Sequence, residues 1–518
     1  MKTLLLGHSF DYSITMEGRK EAVSTVKADM TELARIVARI RYSLSIIVHR
    51  VLPVLLIIGA LIAGISANAE AVYSLDIYDY IVQLDGTAKI INVRGMDEEL
   101  DIPSTLDEYE VTAIGDNAFG YCTELVRVSI PDSVTRIDAN PFATCHQLEH
   151  IEVSSDHPRL AVVDNVLFDK DRHRLVCAPK IGMPKEYVIP GNTEEIGDGA
   201  FYACWHLRQV TLPESVTFIG DDAFASCALK EVILPRHLTH IGDGAFSQNV
   251  METLDLPENV VSVGRSAFGQ CLHLAKVSIP LNVTDFPDNP FVGCENLRSL
   301  TLADGHPTLE LTEGMLIHKP DSRLISWPGA YNSDVIIIPE DIEIIGDGAF
   351  DGYFNLEEIT VPQGVKRIGD RAFNGTFLSE VTLPESIIEI GDEAFAGCYE
   401  LQSIELPDTL TKLSDGLFSS CDCLESIEIP SGVTEIGECT FDRCINMEEI
   451  TLPETLGCIG DRAFYYCTGL SSLYLPKSVV AIGKNSFYGC ENLTLLVEPG
   501  SYAESFCIDN DLKYRTMT

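Results

Sequence analysis

The chain has 518 residues, 46% of them apolar and 8% aromatic, and sets 36 Lys and Arg against 78 Asp and Glu for a formal net charge of −42. A surface this acidic repels phosphate backbones and anionic membranes, which argues against nucleic acid as a partner. The apolar fraction is ample for a continuous core.

Residues 1–40 read as an N-terminal extension, with Met30 as an alternative start. Val51 to Ile65 is an uncharged run of 15 residues, preceded by Arg35, Arg39, Arg41 and Arg50 and followed by Ala67-Asn68-Ala69, the small-x-small form of a signal-peptidase site. Fifteen residues fall short of the roughly 20 that a transmembrane span needs. Residues 41–69 therefore read as a signal peptide cleaved after Ala69. The alternative is an uncleaved anchor over residues 44–66, in which case the chain meets a membrane only there.

Residues 70–100 do not repeat. Tyr78, Tyr80, Val82 and Leu84 alternate, Asp85-Gly86-Thr87 makes a turn, and Ala88, Ile90, Ile91 and Val93 follow. This pattern predicts a β-hairpin that caps the exposed apolar end of what comes next.

From residue 101 to 498 one unit recurs. Its phenylalanines advance in steps of 22 or 23 residues, as at Phe395, Phe418, Phe441, Phe464 and Phe487, with two exceptional steps of 59. Such a period denotes a solenoid, in which each coil touches only its neighbours. Within a coil, Leu424-Glu425-Ser426-Ile427-Glu428-Ile429-Pro430 turns alternate residues inward as a short strand that proline ends. Stacked coil on coil, these strands predict a parallel sheet with its backbone groups paired throughout. Eight coils continue with Gly-Asp, where the aspartate is placed to cap a one-turn helix carrying Ala-Phe. Three residues after phenylalanine comes cysteine, as at Cys398, Cys421, Cys444, Cys467 and Cys490. Neighbouring cysteines in such a ladder keep Cβ atoms near 4.8 Å, beyond the ~3.8 Å usual in a disulfide, so they read as buried free thiols. Asn249, Tyr353 and Thr376 replace cysteine without breaking the period.

The two long steps hold inserts near residues 160–190 and 310–339, each a strand, turn and strand expected to bulge from the solenoid wall. Their identical placement suggests a duplication of about 149 residues, Phe142 to Phe291. Residues 499–518 read as a C-terminal cap, a short amphipathic helix carrying Tyr502, Phe506, Ile508 and Leu512, then a strand.

The consensus Leu-x-x-Leu-x-Leu-Pro followed by Ile-Gly-Asp-x-Ala-Phe-x-x-Cys resembles the BspA-type leucine-rich repeat of bacterial surface proteins. The fold class expected is a β-rich α/β solenoid, a leucine-rich repeat with short parallel strands on its concave face and caps at both ends. The resemblance also implies secretion or display at the cell surface and an adhesive, protein-binding role without catalysis. A structural cell-envelope module without a discrete ligand is the alternative, and a carbohydrate-active enzyme accessory a distant one. His237 and His240 fit surface positions, G-x-S-x-G, H-E-x-x-H and P-loop motifs are missing, and Cys421-x-Cys423 has no second pair at zinc-ligand spacing, so no catalytic residue, metal or cofactor is assigned.

On the outward positions of the later strands stand Glu358, Glu380, Glu405, Glu428 and Glu449, followed by Tyr474. Five successive coils thus each present a glutamate to one face, and such charges repel unless something positive lies near. The strip is the candidate binding site, with an extracellular, basic protein ligand or divalent cations as partner.

Overall fold

The computed structural model describes residues 71–170, 173–327 and 335–517. The segments read as extension and as signal peptide or anchor lie outside these. Tyr73–Thr518 forms one unit, a β-solenoid of stacked short parallel strands.

Each coil has three legs. The first is the strand that the alternation predicts: in Ser426–Glu428 the two polar residues are exposed and Ile427 is buried. The second is a two-residue strand such as Glu435–Ile436, whose inward isoleucine is fully buried. The third is the turn bearing Ala-Phe. It is not helical, because the phenylalanine N–H bonds across to the next coil, as Phe441 does to the Ala463 carbonyl at 2.8 Å. Among the described residues the α-helix is confined to the C-terminal cap, so the repeat itself is β throughout.

The gly-asp pair also works between coils. Seven of the eight aspartates accept from the N–H one coil on, as Asp198 does from Asp221 and Asp347 from Asp370, both at 3.0 Å, and Asp415 of a Ser-Asp pair does the same from Glu438 at 2.7 Å. Capping of its own turn, the expected role, is replaced by a rung of a ladder. The glycine follows from the same geometry, since a Cβ at Gly220 would collide with Asp198.

The second strands run as the longer ladders, unbroken from Glu195–Ile196 to Ser262–Val263. The first strands, expected to pair throughout, pair in runs of two or three. Glu358–Thr360 bonds to Glu380–Thr382, but residues 401–407 carry no strand.

Phe350, Phe373, Phe395, Phe418, Phe441, Phe464 and Phe487 form a buried column with ring centroids 5.1–5.9 Å apart and planes within 16° of parallel. Beside it every cysteine thiol is free. Cys398, Cys421, Cys444, Cys467 and Cys490 each donate S–H to the phenylalanine carbonyl of the preceding coil, at 3.0–3.3 Å. Burial pushes their pKa values up, to about 12 for Cys398 and about 11 for Cys490, which keeps the donor proton in place. Cysteine suits this position because it is small, apolar and still a donor. Asn249 supplies the same bond to the Phe224 carbonyl at 2.8 Å.

The inserts are not bulges. Leu160–Val163, Val166–Asp169 and Arg174–Cys177 form an antiparallel unit, and its last strand joins the second-strand ladder, Arg174 beside Glu195. Leu309–Thr312, Met315–His318 and Arg323–Ser326 repeat this, with Arg323 beside Ile344. Both faces of the second and third strands of each insert are buried. Val166, Phe168 and Leu175 pack into the core that follows, while Leu167, Val176 and Cys177 pack into the core before. Each insert is therefore an internal partition on which a new ladder starts. The N-terminal hairpin does the same: Tyr78–Val82 pairs with Ala88–Val93, which leads the ladder through Tyr109–Ile114. Leu84, expected on its inner face, is fully exposed beside the turn. At the other end the helix Tyr502–Asp509 begins at Ser501, which accepts from the Glu504 N–H at 3.2 Å, while Glu504 reaches back to the Gly500 N–H at 2.6 Å. It buries Ala503 and Cys507, one turn apart, with Phe506 and Leu512 partly buried beside them, so Tyr502 and Ile508 face solvent rather than the core.

Candidate functional site

Glu358, Glu380, Glu405, Glu428 and Glu449 are all exposed on the first-strand face, and none is ion-paired among the described residues. They occupy two columns rather than one. Glu358 lies beside Glu380 in register, whereas Glu428 lies beside Thr451 and Glu449 beside Ser426. A hydroxyl residue thus stands beside Glu428 and Glu449, which eases the repulsion there, whereas Glu358 and Glu380 remain direct neighbours. No group of three or more His, Cys, Asp or Glu placed to hold a metal ion occurs among the described residues. At the strip's end Tyr474 is half-buried, and its hydroxyl donates to Glu498 at 3.4 Å. Burial, then Glu454 and Glu498, raise its pKa.

At the opposite end of the same face the chain holds an arginine of its own. Arg127 sits among Glu99 at 3.2 Å, Asp101 at 3.3 Å and Glu152 at 3.1 Å, contributed by the strands on either side.

A second feature lies on the turn side, a cleft of about 250 Å³ running along the coils past the second insert. Gly244, Ser266 and Gly348 leave room along it; Asp222 lies at one end and two ion pairs line the rest, Arg265 with Asp288 and Arg371 with Asp351 at 3.0 Å. Burial raises the Asp351 pKa to about 6 against the pull of Arg371, with Asp288 and Glu393 adding to the rise.

The family model described as the BspA type leucine rich repeat region matches residues 98–170, 184–309, 329–444 and 411–507, more than half of the chain. The chain belongs to this family. Among solved structures it is similar to a leucine rich cell surface protein from Faecalibacterium prausnitzii A2-165, with 26% identity, 81% of this chain and 96% of that chain covered, and a TM-score of 0.43. A leucine-rich repeat protein from Eubacterium ventriosum ATCC 27560 follows at 20% identity, 81% and 94% covered, TM-score 0.48. The pneumococcal vaccine antigen PcpA shows 16% identity, 87% and 99% covered, TM-score 0.37. No curated protein matches the chain. Among the described residues no helix is long and apolar enough to cross a membrane.

Beyond the BspA-type coil, the structure brings together buried polar groups that the period does not announce. His157 faces the Pro131 carbonyl through Nε2 at 3.1 Å and accepts from the Leu160 N–H through Nδ1 at 3.0 Å; His306 makes the same contacts with Pro280 and Leu309. One ring nitrogen must donate and the other accept, so both rings are neutral. Lys170 and Lys319 strap the two histidine carbonyls at 2.9 and 2.8 Å. Asn140 and Asn289 reach across each insert to Gly199 and Gly348, at 2.6 and 2.8 Å. Their signal in the sequence is identity at the 149-residue offset, His157 with His306, Lys170 with Lys319 and Arg174 with Arg323. These groups hold the partitions, and they lie apart from the exposed strip.

Proposed function

We propose that the protein is a non-enzymatic, extracellular adhesion protein, and that the glutamate strip from Glu358 to Glu449 binds a basic segment of a partner protein. The observation that supports this is Arg127, a guanidinium held by three carboxylates on the same face and at the same strand spacing. In the later coils the carboxylates recur, but the outward strand positions carry Ser, Thr and Tyr with no Lys or Arg. A ligand arginine would find there the partners that Arg127 finds within the chain. Arginine fits better than lysine because its planar fork engages carboxylates on adjacent strands together.

Titration with an arginine-rich peptide tests the reading. Wild type is expected to bind it with an affinity that falls as salt rises, and Glu380→Lys, Glu405→Lys and Glu428→Lys together should weaken binding by about tenfold or more. Unchanged binding by the triple variant would reject the strip.

A further inference from the structure

The cleft of about 250 Å³ on the turn side has charged walls that the repeat does not call for. Arg265 takes the place after glycine that aspartate holds in eight coils, and its Nε reaches forward to Asp288 on the next coil. Arg371 reaches back, its Nε 3.0 Å from Asp351 on the coil before. The two guanidinium groups thus lean toward each other across the second insert. Both aspartates are about nine-tenths buried, whereas both arginines are half-exposed. Each arginine spends Nε on its aspartate, and the terminal nitrogens of both make no hydrogen bond among the described residues, the nearest carboxylate being Glu393 at 3.8 Å from Arg371. Two donor forks are therefore held in place with their ends open. Packing does not require the first pair, since 149 residues earlier Asp116 and Ala139 stand on the same frame in place of Arg265 and Asp288.

Asp222 meets the same cleft from its other end. Its carboxylate lies over Gly244, where a Cβ would collide with it. Among the described residues this carboxylate accepts no hydrogen bond and pairs with no cation. Burial, then Asp221, Asp243 and Asp198, raise its pKa. Between Asp222 and the arginines stand the Ser247 and Ser266 hydroxyls and the Gln270 amide, side-chain groups that donate no hydrogen bond within the described chain. An unmatched carboxylate, a row of free donors and two open forks thus share one cleft.

We propose that this cleft binds a short peptide of two or three residues by its two termini. The peptide ammonium lies on Asp222, its carboxylate on the open ends of Arg265 and Arg371, and its carbonyls accept from the serines and Gln270. The spacing agrees. Asp222 reaches the coil of Gly244 and Arg265 reaches toward that of Asp288, so the opposite charges stand between one and two coil spacings apart, roughly 5–10 Å. Extended chain covers about 3.3–3.6 Å per residue, which two or three residues match and a free amino acid does not. A simple anion would meet the unmatched Asp222, and a simple cation would meet the forks; a molecule carrying both charges satisfies both ends. The site is separate from the glutamate strip and does not depend on it.

The test is calorimetric titration of the full chain with triglycine, N-acetyl-triglycine, triglycine amide, succinate and putrescine. Triglycine should bind, and blocking either terminus should weaken it by about tenfold or more. Asp222→Asn should weaken triglycine to a similar degree and leave N-acetyl-triglycine, which has no ammonium, unchanged. This variant removes one of several neighbouring like charges, and asparagine suits the φ of 51° at that position, so the unfolding midpoint should not fall. Ser247→Leu, which fills the cleft floor without touching an ion pair, should abolish binding. The proposal is overturned if triglycine fails to bind at millimolar concentration, if either blocked peptide binds as well as the free one, or if Asp222→Asn or Ser247→Leu binds fully. Succinate or putrescine binding as tightly as triglycine would overturn it too.

Discussion

The two inserts are one device set into the solenoid twice, and they differ only where packing leaves them free. Both carry a buried neutral histidine, a lysine strap, an arginine reaching back to the previous coil and an Asn-Pro-Phe turn, each pair 149 residues apart. Around this frame the chemistry diverges. Beside the first insert Lys180 is almost fully buried against the Tyr202 ring at 5.0 Å, and burial lowers its pKa. Beside the second, Asp351 stands where Tyr202 stood and Arg371 where Asp222 stood, and together with Arg265 and Asp288 they line the cleft. A partition between two cores needs its buried hydrogen bonds satisfied, which fixes the shared residues. The turn side beside it carries no such requirement, so its charge varies from one copy to the next.

The sharpest way to break this equivalence is to remove the arginines. Arg174 donates to the Ile137 and Asp138 carbonyls at 3.3 and 2.6 Å, and Arg323 to the Phe286 carbonyl at 2.8 Å and the Asp285 carboxylate at 2.6 Å. Arg174→Met and Arg323→Met should each cost about 3 kcal/mol, because each strands buried acceptors. Urea unfolding combined with hydrogen exchange should place the loss at the ladder that starts on the mutated insert. A silent variant in one copy would show that the two inserts do not carry the same load.

A smaller effect separates the copies by pH. The folded pKa of Asp351, raised to about 6, means that the folded state binds more protons than the unfolded one between about pH 4 and 6. Stability should therefore fall as pH rises through that window, by about 2–3 kcal/mol from this group. Asp351→Asn should flatten the dependence, while Tyr202→Phe at the same place in the first copy should leave the wild-type slope. Melting curves at half-unit pH steps decide it, and parallel curves for wild type and Asp351→Asn would remove the assignment.

The coil was legible because its phenylalanine recurs fourteen times and its cysteine eleven, so Phe441, Cys444 and Ile436 declare their inward positions by repetition alone. What occurs once per copy is invisible to a period of 23. His157 and Arg174 look like surface residues of a polar loop, and only the offset to His306 and Arg323 shows that they are needed twice. The inserts were misread for a related reason. A strand buried on both faces, such as Arg174–Cys177, has no alternation to distinguish a partition from a bulge. On the strip, alternation correctly exposes each glutamate. It does not say which residue lies beside it, because the two outward columns differ and the first-strand ladder is interrupted. Gly-Asp likewise suggests a local cap, and only the stacked coils show the carboxylate reaching the next one.

The finest comparison is within the cysteine ladder, at the last coil before each insert. Cys145 donates to the Phe119 carbonyl at 3.3 Å and Cys294 to the Phe268 carbonyl at 3.0 Å, and both are fully buried. Alanine at either place removes one sulfur from the core and one S–H donor from a carbonyl, a loss of about 1–2 kcal/mol. The thiol is a weak donor, so most of that loss is packing, and the two sites should agree within about 0.5 kcal/mol. Alkylation of denatured, unreduced protein should find all sixteen thiols available. If Cys294→Ala costs clearly more than Cys145→Ala, the shorter S–H bond at Cys294 carries part of the energy, and the ladder is held by hydrogen bonding as well as by fit.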